Sequence, residues 1–203
     1  MGAVTSAAPW SAEVNGEGTV TIDDSVAHEG SRSAKVFGNG FSTFLVFHDA
    51  ALLPPASKRL YVRAYVRFAE PMTGGHNTFI IADLAAAPGT GNAFRLGEMN
   101  SMLMYTVSGD THGALANENY YNDMLPGAAV VAGEFGCIEF VLDSAGPEIE
   151  VWLEGDEIPD LHHTDWPLDD YDALRFGFEK YAGPVREIWY DDIAIGTEPI
   201  GCH

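Results

Sequence analysis

The chain has 203 residues, with 30 Asp and Glu against 10 Lys and Arg, for a formal net charge of −20. Nucleic acids and anionic membranes need clustered cations, and Lys58-Arg59 is the one adjacent basic pair, so both are excluded as partners. No run approaches the ~18 apolar residues of a membrane span, and a single domain over residues 1–203 fits the length, because β-sandwiches often reach ~200–250 residues as one unit.

In chain order the period is two. Short strands are predicted at 19–23 (TVTID), 33–38 (SAKVFG) and 42–47 (STFLVF). The clearest is 59–68, RLYVRAYVRF, which sets Leu60, Val62, Ala64, Val66 and Phe68 on one face and Tyr61, Arg63, Tyr65 and Arg67 on the other. Further strands are predicted at 77–84, 93–97, 101–107, 135–143, 148–155, 173–181 and 186–196, linked by Gly- and Asn-rich turns. No stretch holds a helical period beyond two turns. The predicted fold is all-β, a jelly-roll sandwich of two antiparallel sheets. Residues 108–132 form the longest irregular region, and loops of that length inside a compact domain are usually functional or mobile.

The two cysteines, Cys137 and Cys202, have no metal-ligand spacing. One disulfide tying the C-terminal tail to a strand is preferred over two buried thiols, and it favours an extracellular protein.

Eight segments in consistent order then resemble a known family: 18–36 (GTVTIDDSVAHEGSRSAKV), 60–68 (LYVRAYVRF), 76–81 (HNTFII), 94–97 (FRLG), 135–140 (FGCIEF), 175–183 (RFGFEKYAG), 188–196 (IWYDDIAIG) and 200–202 (IGC). They resemble the secreted jelly-roll proteins typified by a fungal cellulose-induced protein. The resemblance implies a Cys137–Cys202 disulfide, structural kinship to glucuronan and alginate lyases, and a polysaccharide or oligosaccharide partner. It also implies a calcium ion, held by Asp191 and Asp192 with the backbone carbonyls of Glu29 and Arg32. The family's N-terminal glutamate has no counterpart in this sequence: either it precedes residue 1, Glu13 substitutes, or the ion is absent. The family's cleft residues match His76, Arg95, Tyr105 and, roughly, Asp110. Ala93 and Met99 stand where the fungal relative has a histidine and a glutamine.

β-Elimination on a uronic-acid polymer needs a group that neutralises the C5 carboxylate, a base for the C5 proton and an acid for the O4 leaving group. Arg95, His76 and Tyr105 are the candidates, in that order. The plainer readings are a strand arginine paired with Asp110 or Glu98, a histidine satisfied by backbone, and a core or rim aromatic. Tyr61, Arg63, Tyr65 and Arg67 form a second candidate stripe for sugar stacking and carboxylate contacts, or else a solvated outer face; Arg175, Glu179 and Tyr181 share one face of another strand. A non-catalytic carbohydrate-binding protein of plant cell-wall degradation is the alternative function. A retaining glycosidase would need paired acids at ~5–5.5 Å, with Glu139, Glu148, Glu150 and Glu179 as the pool. His162-His163 with Asp160 and Asp165 can ligate a transition metal, although adjacent histidines on a strand point apart.

Overall fold

The structure, a computed structural model, describes residues 2–3, 8–72, 75–107, 112–118 and 127–203. Among these, the strands are β1 (Gly2–Ala3), β2 (Trp10–Val14), β3 (Thr19–Asp23), β4 (Ser33–Gly38), β5 (Ser42–Phe47), β6 (Arg59–Phe68), β7 (Asn77–Asp83), β8 (Phe94–Met99), β9 (Met102–Val107), β10 (His112–Leu115), β11 (Phe135–Asp143), β12 (Glu148–Leu153), β13 (Asp156–Glu157), β14 (His163–Thr164), β15 (Ala173–Lys180) and β16 (Arg186–Gly196). One 3-10 turn, Pro159–Leu161, interrupts them. Sheet A runs β1-β3-β4-β16-β6-β11-β12-β13, with β14 also on β12; sheet B runs β10-β9-β8-β7-β15-β5-β2. The pairs are antiparallel, and the fold is the jelly-roll sandwich that the alternation predicts. Among the described residues no helix is long and apolar enough to cross a membrane.

Strand β10 falls inside the region predicted to be irregular. Its sequence, HGAL, is too short and too glycine-bearing to show a period, and it forms by continuing the β9 ladder, with His112 opposite Val107. Strand β2 escaped for a related reason: WSAEV is half-buried or exposed throughout and offers weak contrast between its faces.

Strand β6 behaves as its pattern dictates. Leu60, Val62, Ala64, Val66 and Phe68 enter the core between the sheets, where Leu174, Phe176 and Phe178 of β15 meet them from sheet B. The opposite stripe lies on the outer face of sheet A and is claimed by the C-terminal tail. Glu139 accepts the amides of Ile200 and Gly201, both at 2.8 Å. Arg63 donates to the Gly201 carbonyl at 3.1 Å, and the Tyr65 hydroxyl meets the His203 backbone. Cys137 and Cys202 are disulfide-bonded beneath this tail. Closing a loop of 65 residues stabilises the fold by about 4 kcal/mol in the chain-entropy model.

Two buried polar links tie sheet A to sheet B. Arg186 at the start of β16 donates to Glu98 of β8 at 2.6 Å, and Asn77 of β7 donates to the same carboxylate at 2.8 Å. The Tyr190 hydroxyl of β16 lies 2.9 Å from the Phe79 carbonyl and 2.7 Å from that of Gly177. Both carbonyls sit at register shifts, between Thr78 and Ile80 on β7 and between Phe176 and Glu179 on β15. A bulge leaves backbone groups without a ladder partner, and this hydroxyl supplies one. Burial drives the Tyr190 phenol far above its usual pKa, so it remains a donor at any working pH.

Removing that hydroxyl strands a buried carbonyl. Tyr190→Phe is expected to lower the unfolding free energy by about 1–3 kcal/mol, measured by urea denaturation; an unchanged midpoint would show that the bulge needs no such donor.

Candidate functional site

The outer face of sheet B carries a cleft whose floor is the apolar cluster Phe44, Val46 and Ile81. One hollow of about 110 Å³ lies over this floor, between Glu13, Asp83, Arg175 and Glu179. A second, wider one of about 450 Å³ is bounded by His76, Met99, Met104, Thr106 and Leu115. Arg95 stands between the two, paired across the ladder with Ile81 on one side and Thr106 on the other.

The cleft's arginines are already engaged. Arg175 donates from Nε to both oxygens of Asp83, at 3.1 and 2.9 Å, and from Nη1 to Glu13. Burial raises the Asp83 pKa, with Arg175 pulling in the opposite direction. Arg95, only 8% exposed, donates from Nη2 to the Gly89 carbonyl at 2.7 Å and holds Nε 3.7 Å from Glu179 Oε1. That Nε–H makes no hydrogen bond. An unsatisfied buried donor costs about 1–3 kcal/mol, and a charged one more. Among the described residues, two guanidinium groups here face three carboxylates, those of Glu13, Asp83 and Glu179.

His76 borders the wider hollow. Its ring stacks on that of Tyr181, with centroids 4.9 Å apart and planes 24° from parallel. The stack is anchored by backbone, because the amides of Tyr181 and Ala182 both donate to the His76 carbonyl at 3.1 and 3.0 Å. Gly75 is needed for this approach: a Cβ there would lie 2.5 Å from the Ala182 oxygen. The Tyr181 hydroxyl donates to Glu179, which also faces Arg95, so His76, Tyr181, Glu179 and Arg95 form one continuous group. Phe41, more than half exposed, packs edge-on against Tyr181 at 6.0 Å and extends the aromatic ledge.

Tyr105 does not join them. Its ladder partner is Leu96, so it points from the opposite face of sheet B into the core, where it is fully buried beside Phe94 and Trp166. Its hydroxyl lies 2.7 Å from His163 Nδ1, and burial pushes its pKa far above the tyrosine range. Glu98, offered by sequence as a partner of Arg95, is also on the core face and belongs to Arg186. Asp110 lies outside the described residues. Among the described residues the tyrosine of the cleft is Tyr181, which its place two residues beyond Glu179 and six beyond Arg175 puts on their face.

The Tyr61, Arg63, Tyr65 and Arg67 stripe is corrected as well. It lies on the other sheet, under the tail, with Arg67 donating to the Gly133 carbonyl and packing on Trp189. Of the four acids considered for a glycosidase, Glu139 holds the tail, and Glu148 and Glu150 are on β12 of sheet A; Glu179 alone is in the cleft.

At the predicted calcium position Asp191 accepts the His28 amide at 2.7 Å and the Asp192 amide at 2.9 Å. Asp192 meets the His28 ring at 2.8 Å, and its carbonyl accepts from Arg63 at 3.2 Å. Calcium takes six to eight oxygens, whereas the hydrogen bonds that these two carboxylates make are to N–H groups of His28 and Asp192. A calcium ion held by both carboxylates would have to displace these contacts. Glu13, the substitute for the missing glutamate, is in the cleft instead. Nearby, Asp23 accepts from Ser25 and from Trp189 Nε1, which hold its carboxyl at a pKa of about 2.

The geometry defines a class before any comparison: a jelly-roll protein with a cleft of histidine, tyrosine, arginine and acids across the outer face of one sheet. The family model described as "Cip1-like, core domain", of the polysaccharide-lyase-like group, matches residues 3–198, and the chain belongs to that family. Among solved structures it is similar to "Cellulose induced protein, Cip1" at 30% identity, over 96% of this chain and 94% of that one, with a TM-score of 0.78. An endo-β-1,4-glucuronan lyase from the fungus Trichoderma reesei follows at 15% identity, covering 92% and 90% of the two chains, with a TM-score of 0.61. A sialidase shares the fold at 13% identity and TM-score 0.60, over 93% of this chain and 17% of that one. No curated protein sequence matches the chain.

Because N–H groups compensate Asp191 and Asp192, calcium added to chelator-stripped protein is expected to leave the melting temperature unchanged, while His28→Ala lowers it, both read by scanning calorimetry. A chelator-induced drop reversed by calcium would restore the ion to the structure.

Proposed function

We propose that the protein is a secreted polysaccharide lyase-like enzyme that cleaves a uronic-acid-containing polysaccharide by β-elimination in the sheet B cleft. Support comes from the family and from one observation above the rest: a backbone-anchored His76–Tyr181 stack beside Arg95, whose Nε–H has no acceptor.

In this reading the C5 carboxylate of a bound uronate takes up the Arg95 Nε–H and loosens the 3.7 Å contact with Glu179. Stabilising that group as an enolate makes the C5 proton removable. His76, as the neutral imidazole, takes the proton. The electron pair forms the C4–C5 double bond as the C4–O4 bond breaks, and the Tyr181 hydroxyl protonates O4. The protonated His76, stacked on the tyrosinate, then returns its proton to it through water, which restores both groups. Phe41 and Tyr181 offer apolar faces to the neighbouring sugars. The jelly-roll glucuronan lyase makes a glucuronan the first polymer to try.

A second reading, non-catalytic carbohydrate binding, has its own support. Arg175 already pairs with Asp83 and Glu13 through Nε and Nη1, and Met99, bordering the cleft, offers a carboxylate no donor.

The experiment is to follow the absorbance of unsaturated uronate on mixing with glucuronan, alginate or pectin. Tyr181→Phe is expected to lower the initial rate about 10²–10⁴-fold with folding intact. Tyr105→Phe is expected to cost stability while each folded molecule keeps its rate. No product from any of the three polymers, together with retention on an insoluble glycan, would replace the enzyme reading by the binding one. The surplus of carboxylates in the cleft and the −20 envelope repel a polyanion. KM for such a substrate is therefore expected to fall as salt rises from low ionic strength towards ~0.15 M, where the Debye length reaches roughly 8 Å. A KM that rises with salt would mean that attraction by the arginines dominates.

A further inference from the structure

Away from the cleft, on the edge of sheet A, three acidic side chains converge on one imidazole. Glu148 and Glu150 are two residues apart on β12, so their side chains share a face. The 3-10 turn Pro159–Leu161 delivers His162 over that face. His162 Nε2 lies 3.5 Å from Glu148 Oε1 and 3.7 Å from Glu150 Oε1. These separations are long for hydrogen bonds. They are close to the roughly 3.3–3.4 Å that separates ligand atoms around a tetrahedral ion with ~2.0–2.1 Å bonds. One ligand atom from each of the three residues falls within 4.8 Å of the others.

What distinguishes this group from surface acids in chance proximity is that two of its ligands are oriented from behind. Glu157 lies 3.0 Å from His162 Nδ1, so the Nδ1–H tautomer turns the Nε2 lone pair towards the two glutamates. Arg59 holds the far oxygen of Glu148 at 2.8 Å and leaves Oε1 for the His162 side. The three carboxylates favour a positive charge at this imidazole, supplied either by a second ring proton or, on the neutral ring, by a divalent cation between Nε2 and the two glutamates. All four groups are partly exposed, so the ion can reach them from solvent. Asp160 and Asp165, the partners suggested by sequence proximity, are not in this group; the strand pairing of β12 with β14 supplies Glu148 and Glu150 instead.

We propose that His162, Glu148 and Glu150 bind one divalent transition-metal ion of the zinc class, with a fourth position open to water and with Glu157 as the positioning residue behind the imidazole. The ion would clip the 159–164 segment to β12. Adjacent His163 points the other way, to the Tyr105 hydroxyl, so this clip would fix the segment that closes one end of the core.

The test is isothermal titration of ZnCl2 into tag-free, chelator-stripped protein, with thermal unfolding alongside. One equivalent is expected to bind saturably and raise the melting temperature. His162→Ala and Glu150→Gln should each abolish that binding while circular dichroism remains unchanged. Glu157→Gln should weaken it about 10–100-fold, and excess calcium should not compete. Saturable binding that survives in both His162→Ala and Glu150→Gln, or an absence of saturable binding by the unsubstituted protein, would overturn the proposal.

Discussion

One extra residue in β7 decides which side chains meet. A strand alternates faces strictly, so His76 and Asp83, an odd number of positions apart, would point to opposite sides of an unbroken β7. The register shift between Thr78 and Ile80 puts both Phe79 and Ile80 into the core, and the phase changes there. His76 before it and Ile81 and Asp83 after it then face the same cleft. The core and the cleft are thus two faces of one sheet, joined by a bulge that the Tyr190 hydroxyl of the other sheet helps to satisfy. Packing between the sheets and the composition of the site are consequently not independent.

The sandwich was legible in the sequence because alternation is a local property. RLYVRAYVRF declares its two faces without reference to any neighbour, and the eight matching segments carried the fold and the disulfide with them. What an outer face contacts is not local: nothing in the stripe Tyr61, Arg63, Tyr65 and Arg67 reveals that a tail more than 130 residues away covers it. The error over Tyr105 is of a different kind, because a signal existed. Asn100 and Ser101 both have positive φ, at 56° and 67°, in a two-residue turn that pairs Met99 with Met102. Once that turn is recognised the register follows, Arg95 falls opposite Thr106, and Tyr105 must face away from it. The β7 bulge had no such marker, since FII reads equally well as an unbroken buried strand.

Charge organisation separates the regions of the molecule. Between the sheets, Arg186 and Glu98 neutralise each other in full burial, where losing one partner would cost several kcal/mol. In the cleft the compensation is incomplete, and Arg95 retains an N–H without an acceptor. A group in that state is kept at a cost to stability unless a ligand satisfies it; Arg63 of the sheet A stripe shares that state but lies under the C-terminal tail, whereas Arg95 stands between two open hollows, which is why the sheet B face is the reactive surface in this account. On the outer edge of sheet A carboxylates likewise outnumber the cations beside them.

The most direct measurement of the central claim is a crystal structure with an oligoglucuronate bound. The account places a sugar carboxylate at Arg95 Nε, with the ring above His76 and Tyr181 on the outer face of sheet B. Sugar density over Tyr61 and Tyr65 on sheet A, with the C-terminal tail displaced and the sheet B cleft empty, would contradict it.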